Sequence, residues 1–572
     1  MDNKHLAKPF RQLAQLMEVY DENTFKIKAF ASAALKIDKY PIQLSTLSLT
    51  ELENQIGIGK STASKVWELL QTGNIAELEQ YKSKTPAGIL EMLHLKGLGP
   101  KKLRTIWLDL HIESISELYY ACNENRLAEA KGFGIKTQEE LKKAIEFTFK
   151  SKGKYLYSLA EPLADVWIER LQKLSCVGLV MLTGDLRRRS EIVESIDLVL
   201  TCNSFPELIS YFKDLAGESS KEGSEPLKIQ QLESNYHNII TQVLVIQEPE
   251  SLPLTLYIAS EVNAQFLLFI TTGSKAHLEQ FKLNIATNSK TEEEIYASFG
   301  LPFIEPELRE EITDLEQIKE SCKKKLLDFA DLQGTIHNHS TYSDGVHTLE
   351  EMAQGCIEMG LKYLAICDHS QSAFYANGLS SSRVITQQNE IDQLNLKISP
   401  FKIYKGIESD ILADGSLDYA NTVLASFQLV VASIHSGFRM NEKNATERLI
   451  KAISNPYTSI LGHPTGRLLL GREGYPIDHK QIIDACATYD VVIEINSNPN
   501  RLDIDWRWVP YALSKGVLLS INPDAHRKEG LQDMRYGVLM ARKGGLTKES
   551  CLNAFDLNQF EEWIKRQHKK RK

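Results

Sequence analysis

After residue 334, short apolar runs recur with helix-length spacers between them, and clusters of His, Asp or Glu stand at the ends of strands in this region. The runs lie at residues 363–367, 402–405, 430–434, 459–461, 491–495 and 517–521. Alternation of this kind builds a parallel βα barrel, whose strand ends share one rim. The clusters are His337-Asn338-His339 with Asp344-Gly345, Asp368-His369, Glu408-Ser409-Asp410, Ile434-His435-Ser436, Gly462-His463-Pro464 and Asp524-Ala525-His526. One histidine at a strand end is more often a hydrogen-bonded core residue than a ligand. Six clusters on one rim are different, because burying so many imidazoles and carboxylates without metal leaves large desolvation costs unmet. The reading is a metal cluster.

Composition narrows the chemistry. Nine of the 14 histidines lie beyond residue 330, while the eight cysteines include no Cys-x-x-Cys pair. That argues for reduced thiols and against a disulfide framework or a thiolate zinc site. Imidazole and carboxylate donors without thiolate suit Mn²⁺ or Zn²⁺, and they do not choose between the two. No apolar run reaches about 18 residues, and Met1-Asp2-Asn3-Lys4-His5 has no apolar stretch behind its charges, so neither a membrane span nor a secretory leader is expected. The expected compartment is the cytoplasm.

At 572 residues the chain has room for three or four domains. Residues 1–150 read as short amphipathic helices, at 9–18, 25–37, 61–70 and 138–149. Strand-like runs follow at 177–183, 196–201, 239–246 and 254–259, and then an acidic, helical connector over 290–331 is broken by Pro302 and Pro306. The whole chain carries 66 basic and 75 acidic residues, and its first 150 residues hold 21 and 19. This is not the basic stripe of a charge-driven DNA binder.

Three glycine turns repeat within the helical part: Gly57-Ile58-Gly59-Lys60, Gly97-Leu98-Gly99-Pro100-Lys101 and Gly132-Phe133-Gly134-Ile135-Lys136. Two glycines permit a tight turn, and the helix that follows opens with free N–H groups beside a lysine. One copy could be a packing motif. Three copies predict helix-hairpin-helix contacts to the DNA backbone, independent of base sequence.

Around Lys65, with Lys26 and Phe30, the chain resembles the lyase subdomain of family X DNA polymerases, in which a lysine at this offset from the hairpin forms a Schiff base with an abasic sugar. The segments Gly184-Asp185-Leu186-Arg187-Arg188, Ser195-Ile196-Asp197-Leu198-Val199 and Thr272-Gly273-Ser274-Lys275-Ala276-His277 resemble that family's nucleotidyltransferase palm. Gly184, Arg188 and Gly273 would be its nucleotide-binding remnant. The family's carboxylate motif falls on Ser195, Asp197 and Thr255, so that Asp197 alone survives, and Asp185 stands where the family has Ser against the nucleotide phosphates. A two-metal site needs its carboxylates to neutralise and hold both ions, so no Mg²⁺ is expected in the palm and polymerase activity is expected to be lost or impaired.

The rim clusters resemble the PHP (polymerase and histidinol phosphatase) phosphoesterase domain. That resemblance implies three divalent ions. His337, His339, Glu408 and Asp524 would hold one, Glu408 would bridge to a second on His435 and His463, and Asp344, His369 and His526 would hold the third. Asp368 and Asp410 could orient ligands, and Arg467 could clamp a phosphate.

The fold class implied is multidomain α plus α/β, and the chain is identified as a member of the bacterial family X polymerases. Its expected parts are a lyase-like helical domain (1–80), a fingers-like domain (81–150), a degenerate palm (151–290), a thumb remnant and linker (291–330) and a PHP barrel (331–572). The expected activity is metal-dependent 3′ to 5′ degradation of DNA at ends, gaps or abasic sites. Rival readings are an active gap-filling polymerase, a histidinol-phosphatase-like small-molecule phosphatase and a non-catalytic DNA-binding scaffold.

Overall fold

Leu6, Phe10, Leu13 and Met17 recur at helical spacing, and all four are fully buried along one stripe of α1 (Asn3–Val19). The computed structural model describes the whole chain except residues 1–2, 39, 41, 55–58, 96, 131, 152, 222–226, 237–238, 248–250, 282–288, 290, 311–323 and 572. It divides into two units, Met1–Glu146 and Phe147–Lys572.

The first unit is helical. It includes α2 (Thr24–Asp38), α3 (Lys60–Thr72), α4 (Ala76–Lys84), α5 (Pro100–Arg104) and the start of α6 (Ile135–Ser151). The helices expected from apolar spacing are all present and extend past the expected bounds.

The second unit opens with a five-stranded sheet of β1 (Val177–Thr183), β2 (Ile196–Cys202), β3 (Lys228–Tyr236), β4 (Ile239–Gln247) and β5 (Leu254–Ala259), in the order β1-β2-β5-β4-β3. Only the β2–β5 pair is parallel. Strand β3 has no counterpart in the sequence reading. Its side chains are mostly exposed, so Lys-Ile-Gln-Gln-Leu-Glu-Ser-Asn-Tyr carries no apolar alternation to betray it. The supposed connector is also corrected. Helices α7 (Ala264–Thr272) and α8 (Glu292–Ser298), with Leu301, Ile304 and Leu308, bury one apolar cluster against the sheet. Residues 292–308 are therefore core, with the prolines turning the chain between buried side chains.

The barrel comprises seven parallel strands in sequential order: β6 (Gly334–Asn338), β7 (Tyr363–Ile366), β8 (Lys402–Asp410), β9 (Leu429–Ser433), β10 (Ile460–Leu461), β11 (Val492–Asn496) and β12 (Leu519–Asn522). The ring closes where the His339 N–H donates to the Ala525 carbonyl (2.9 Å). The inward side chains Ile336, Tyr363, Tyr404, Val431 and Val492 form one apolar cluster with Phe560 and Trp563 of the C-terminal helix, Leu557–Lys569. Polar side chains take over the inward positions toward the strands' C-terminal ends, where Glu408, Ser433, Glu494, Asn496 and Asn522 are fully buried.

The sequence reading ends the second barrel run at residue 405, but β8 continues through Gly406 to Asp410. That glycine is no breaker. A Cβ there would stand 2.6 Å from both Cys367 Sγ and the Ile366 carbonyl, so glycine is what lets β7 and β8 approach. Helix α9 (Met534–Lys543) joins barrel to sheet domain: Lys543 donates to the Arg188 carbonyl and to Glu310 (2.7 Å each), and Arg542 pairs with Glu307.

Candidate metal centre

The extension of β8 carries Glu408 into the middle of the rim. Its Oε1 lies 3.1 Å from His337 Nε2, 3.1 Å from His463 Nε2 and 3.2 Å from His435 Nε2. Its Oε2 lies 2.9 Å from His369 Nδ1 and 3.7 Å from His339 Nε2. Asp524 Oδ1 adds contacts to His339 (3.0 Å) and His337 (3.5 Å). Asp344 faces His526 (3.3 Å), His369 (3.6 Å) and His339 (3.9 Å). All nine expected rim residues therefore meet, and their donor atoms fall into overlapping groups of three or four. The division differs from the expected one in two rings. His339 faces both Asp524 and Asp344, and His369 bridges Glu408 through Nδ1 and Asp344 through Nε2, so neither belongs to a single group.

The electrostatics fit divalent cations. Both oxygens of Asp344, along with His337 Nε2, His339 Nδ1, His369 Nδ1 and His463 Nδ1, are buried without a hydrogen-bond partner. Burial opposes ionisation of Glu408 and Asp524, yet neighbouring imidazoles hold both carboxyls well below the usual range. The rings are driven apart. His435 is pushed up to about 10 by Glu408 and Asp410 against the effect of burial, whereas burial and the neighbouring His526 and His369 push His339 down to about 4. Ionised carboxylates among rings that cannot all be protonated leave positive charge to be supplied from outside.

A second layer fixes the rings. Glu494 Oε2 lies 2.6 Å from His337 Nδ1, and Asp410 Oδ1 lies 2.6 Å from His435 Nδ1, which turns the Nε2 atoms toward Glu408. Sequence reasoning missed Glu494. The available signal was a charged residue at an inward position of the apolar run 491–495. Asp368 accepts from Ser340, Ser343 and Gln387 and so holds the loop bearing Asp344. His337 (φ 60°), His463 (φ 21°) and Asp524 (φ 53°) all sit in the left-handed region, a strained backbone that the surrounding contacts must hold. Arg467 is corrected as a phosphate clamp, because its guanidinium donates to the Arg501 and Leu502 carbonyls and to Asp505 (2.6 Å). It ties two loops together.

In the sheet domain, Ser195, Asp197 and Thr255 do converge. Asp197 pairs with Thr255 across β2 and β5, and Ser195 Oγ donates to Asp197 Oδ2 (2.9 Å). One carboxyl results. Burial pushes it up to about 6 against the hydrogen bonds from Ser195 and Thr255. Gly184 (φ 63°) is required, since a Cβ there would lie 2.4 Å from Asp197 Oδ2. Arg188 is held by Asp185, by Glu310 (3.3 Å) and by the carbonyl of Thr272 (2.7 Å), which precedes Gly273.

In the first unit Gly57 lies outside the described residues. Gly97 and Gly132 share φ 89°, the backbone geometry that requires glycine. Gly59 and Gly99 cap α3 and α5 with ordinary φ, and Gly134 precedes α6. A Cβ on Gly59, Gly99 or Gly134 would meet nothing within 4 Å among the described residues, so no packing among them calls for these three glycines. Lys60, Lys101 and Lys136 are exposed at the helix starts.

Family models match residues 1–75 as a helix-hairpin-helix domain and residues 335–498 as a PHP domain. The DNA polymerase/3′-5′ exonuclease PolX of Bacillus subtilis (strain 168) is 33% identical over 572 residues, covering 99% of this chain and 100% of that protein. The chain belongs to the bacterial family X DNA polymerases with a PHP domain. A probable phosphatase of Thermoanaerobacter sp. (strain X514) is 27% identical over 41% of the chain and 95% of its own length. A probable phosphatase of Vibrio atlanticus (strain LGP32) is 28% identical over 34% of the chain and 79% of its own length.

This family X chain also gathers the residues singled out near its first hairpin. Lys65 and Lys26 share Glu77 (2.8 and 2.7 Å), and the Lys65 ammonium lies 5.6 Å from the Phe30 ring centroid. Glu77, on α4, escaped the sequence reading. Burial opposes its charge, but the two lysines hold its carboxyl below the usual range. No helix among the described residues is long and apolar enough to cross a membrane.

Proposed function

We propose that this protein is a DNA repair enzyme whose working centre is the barrel, a metal-dependent phosphodiesterase that removes nucleotides 3′ to 5′ and cuts at abasic sites. The observation that carries this reading is the set of nine clustered donors that includes Glu408, all buried except the half-buried His435. Three divalent ions, Mn²⁺ or Zn²⁺, would be held by His337, His339, Asp344, His369, Glu408, His435, His463, Asp524 and His526. When bound, such ions polarise a phosphodiester and supply hydroxide at neutral pH. The chain's own part is positioning: Glu408 is shared among the groups, and Glu494 and Asp410 lock the tautomers of His337 and His435. The test is metal analysis of purified protein together with degradation of a 5′-labelled strand before and after chelation. Bound metal, loss of degradation on chelation and return with Mn²⁺ are expected. Metal-free protein that degrades DNA unchanged would contradict the reading.

The hairpins deliver the DNA. A bare glycine at positions 59, 99 and 134, where no atom of the described residues crowds it, suits a phosphate approaching the backbone from outside. A small-molecule phosphatase has no use for that surface.

The palm does not polymerise in this reading. Two Mg²⁺ ions would find one carboxyl there instead of a set, and a triphosphate would meet Arg188 with Asp185 and Glu310 already on it. The convergence of Lys65, Lys26 and Phe30 favours one further activity, lyase chemistry at an abasic sugar through Lys65. Borohydride trapping on abasic DNA should cross-link the wild type and not Lys65→Ala; equal trapping by both would remove Lys65 from that role.

A further inference from the structure

Phe374 is the most exposed large apolar side chain among the described residues, at 89%. It sits on the single turn Phe374–Ala376, a few residues beyond His369. This turn is anchored from every side. Ala373 and Ala376 are fully buried, and Ser372 donates through Oγ to Asp410 and through its N–H to Asp418, both at 2.7 Å. Asn377, in the left-handed region (φ 52°), donates to the Ser343 carbonyl (3.3 Å), beside Asp344. A Cβ on Gly378 would stand 1.9 Å from the Ser370 carbonyl, so the turn closes on a glycine that nothing else can replace.

The anchor is shared with the metal centre. Asp410 holds both Ser372 and His435 Nδ1 (2.6 Å), and the ring of Tyr375 lies 6.2 Å from that of His369 and 6.5 Å from that of His435. The neighbouring Phe374 ring is thus displayed to solvent, on a turn tied to the donor cluster by hydrogen bonds. A lone apolar side chain at a surface needs no explanation, but a fully exposed ring on a braced turn beside a reaction centre does. Planar groups with π-faces suit such a ring, and an unpaired nucleobase is the planar group that accompanies a phosphodiester at a strand end.

We propose that Phe374 is the stacking platform for the base at the 3′ end of the strand whose phosphodiester enters the metal centre. This rests on the exonuclease reading above and adds to it the residue that recognises the terminal base.

The test uses full-length, Mn²⁺-loaded protein and two 5′-labelled single strands identical except for the 3′ residue, which is dA in one and a base-free tetrahydrofuran in the other. Wild type should remove the dA end with a KM about tenfold lower than the tetrahydrofuran end. Phe374→Ala should erase that difference by raising KM for the dA end alone, and Phe374→Trp should restore it. An equal effect of Phe374→Ala on both ends, or no effect on either, would overturn the stacking role and leave the exonuclease reading intact. Failure of the wild type to shorten either strand would overturn the exonuclease reading and the stacking role with it.

Discussion

The barrel rim and the palm both bring polar side chains together at the ends of parallel strands, and their electrostatics run in opposite directions. On the rim, carboxyls that are completely buried are nevertheless held well below their usual range by the rings around them. In the palm, the one carboxyl is pushed up to about 6 by burial and the nearby Asp185, with two hydroxyl donors and Arg188 too weak to offset them. The first arrangement calls for cations, whereas the second only makes its single carboxyl harder to ionise. Fold alone does not distinguish them, because β2 and β5 present Asp197 and Thr255 in register as faithfully as β8 presents Glu408. What differs is the number of charged partners, and that number decides which site can hold metal.

The largest expected effect separates the two sites outright. His339→Ala or Asp524→Ala should reduce strand degradation by at least about a thousandfold, as loss of a metal-held electrostatic element does, while DNA affinity stays within about twofold. Wild-type degradation by both variants, measured on a labelled strand, would erase the contrast.

A smaller effect tests the layer behind the ligands. Glu494→Gln keeps a hydrogen-bonding group beside His337 and removes its charge, so Mn²⁺ affinity should fall about 10- to 100-fold, with activity recovering at higher Mn²⁺. Titration of activity against free Mn²⁺ reads this directly. An unchanged Mn²⁺ midpoint would make Glu494 a bystander.

The palm carries a pH signature of its own. The Asp197 carboxyl titrates near 6 when folded, above about 3.9 for a free aspartate, so its neutral form favours folding. Its contribution is fully present below about pH 4 and is lost as pH rises through 6, a penalty of up to about 3 kcal/mol at neutral pH. Asp197→Asn should therefore resist urea better than wild type at pH 7.5 and equally at pH 4. Greater resistance of the wild type at pH 7.5 would mean that the carboxylate is compensated by a cation after all.

The smallest effect concerns DNA binding by the helical unit. Residues 1–150 hold 21 basic against 19 acidic side chains, and contacts made through backbone N–H groups release few counterions. The slope of log K against log salt should be shallower than about −6 in filter binding or anisotropy.

The rim was legible because its donors are chemically unusual and sit at the ends of recurring apolar runs. Glu494 and Glu77 were hidden for the same reason: each is a single acidic residue whose role depends on partners far away in sequence. Strand β3 was invisible because most of its side chains are exposed and leave no apolar alternation. Residues 292–308 misled in the opposite sense, since their prolines and acidic residues read as a linker while Tyr296, Ile304 and the fully buried Arg309 nearby are core. Arg467 shows the limit of residue type as a guide: an arginine near a phosphoesterase rim looked like a clamp, yet its donors are taken up by carbonyls and Asp505.

The most direct measurement follows one labelled primer–template through both sites at once. Wild type with Mn²⁺ should shorten the primer from its 3′ end with or without nucleotides. His339→Ala, with its palm untouched, should leave the primer unchanged in Mn²⁺ or Mg²⁺ even with all four nucleotides present. Template-dependent lengthening by His339→Ala would contradict the account, and the reading of Ser195, Asp197 and Thr255 as a silent site would be the first part to fall.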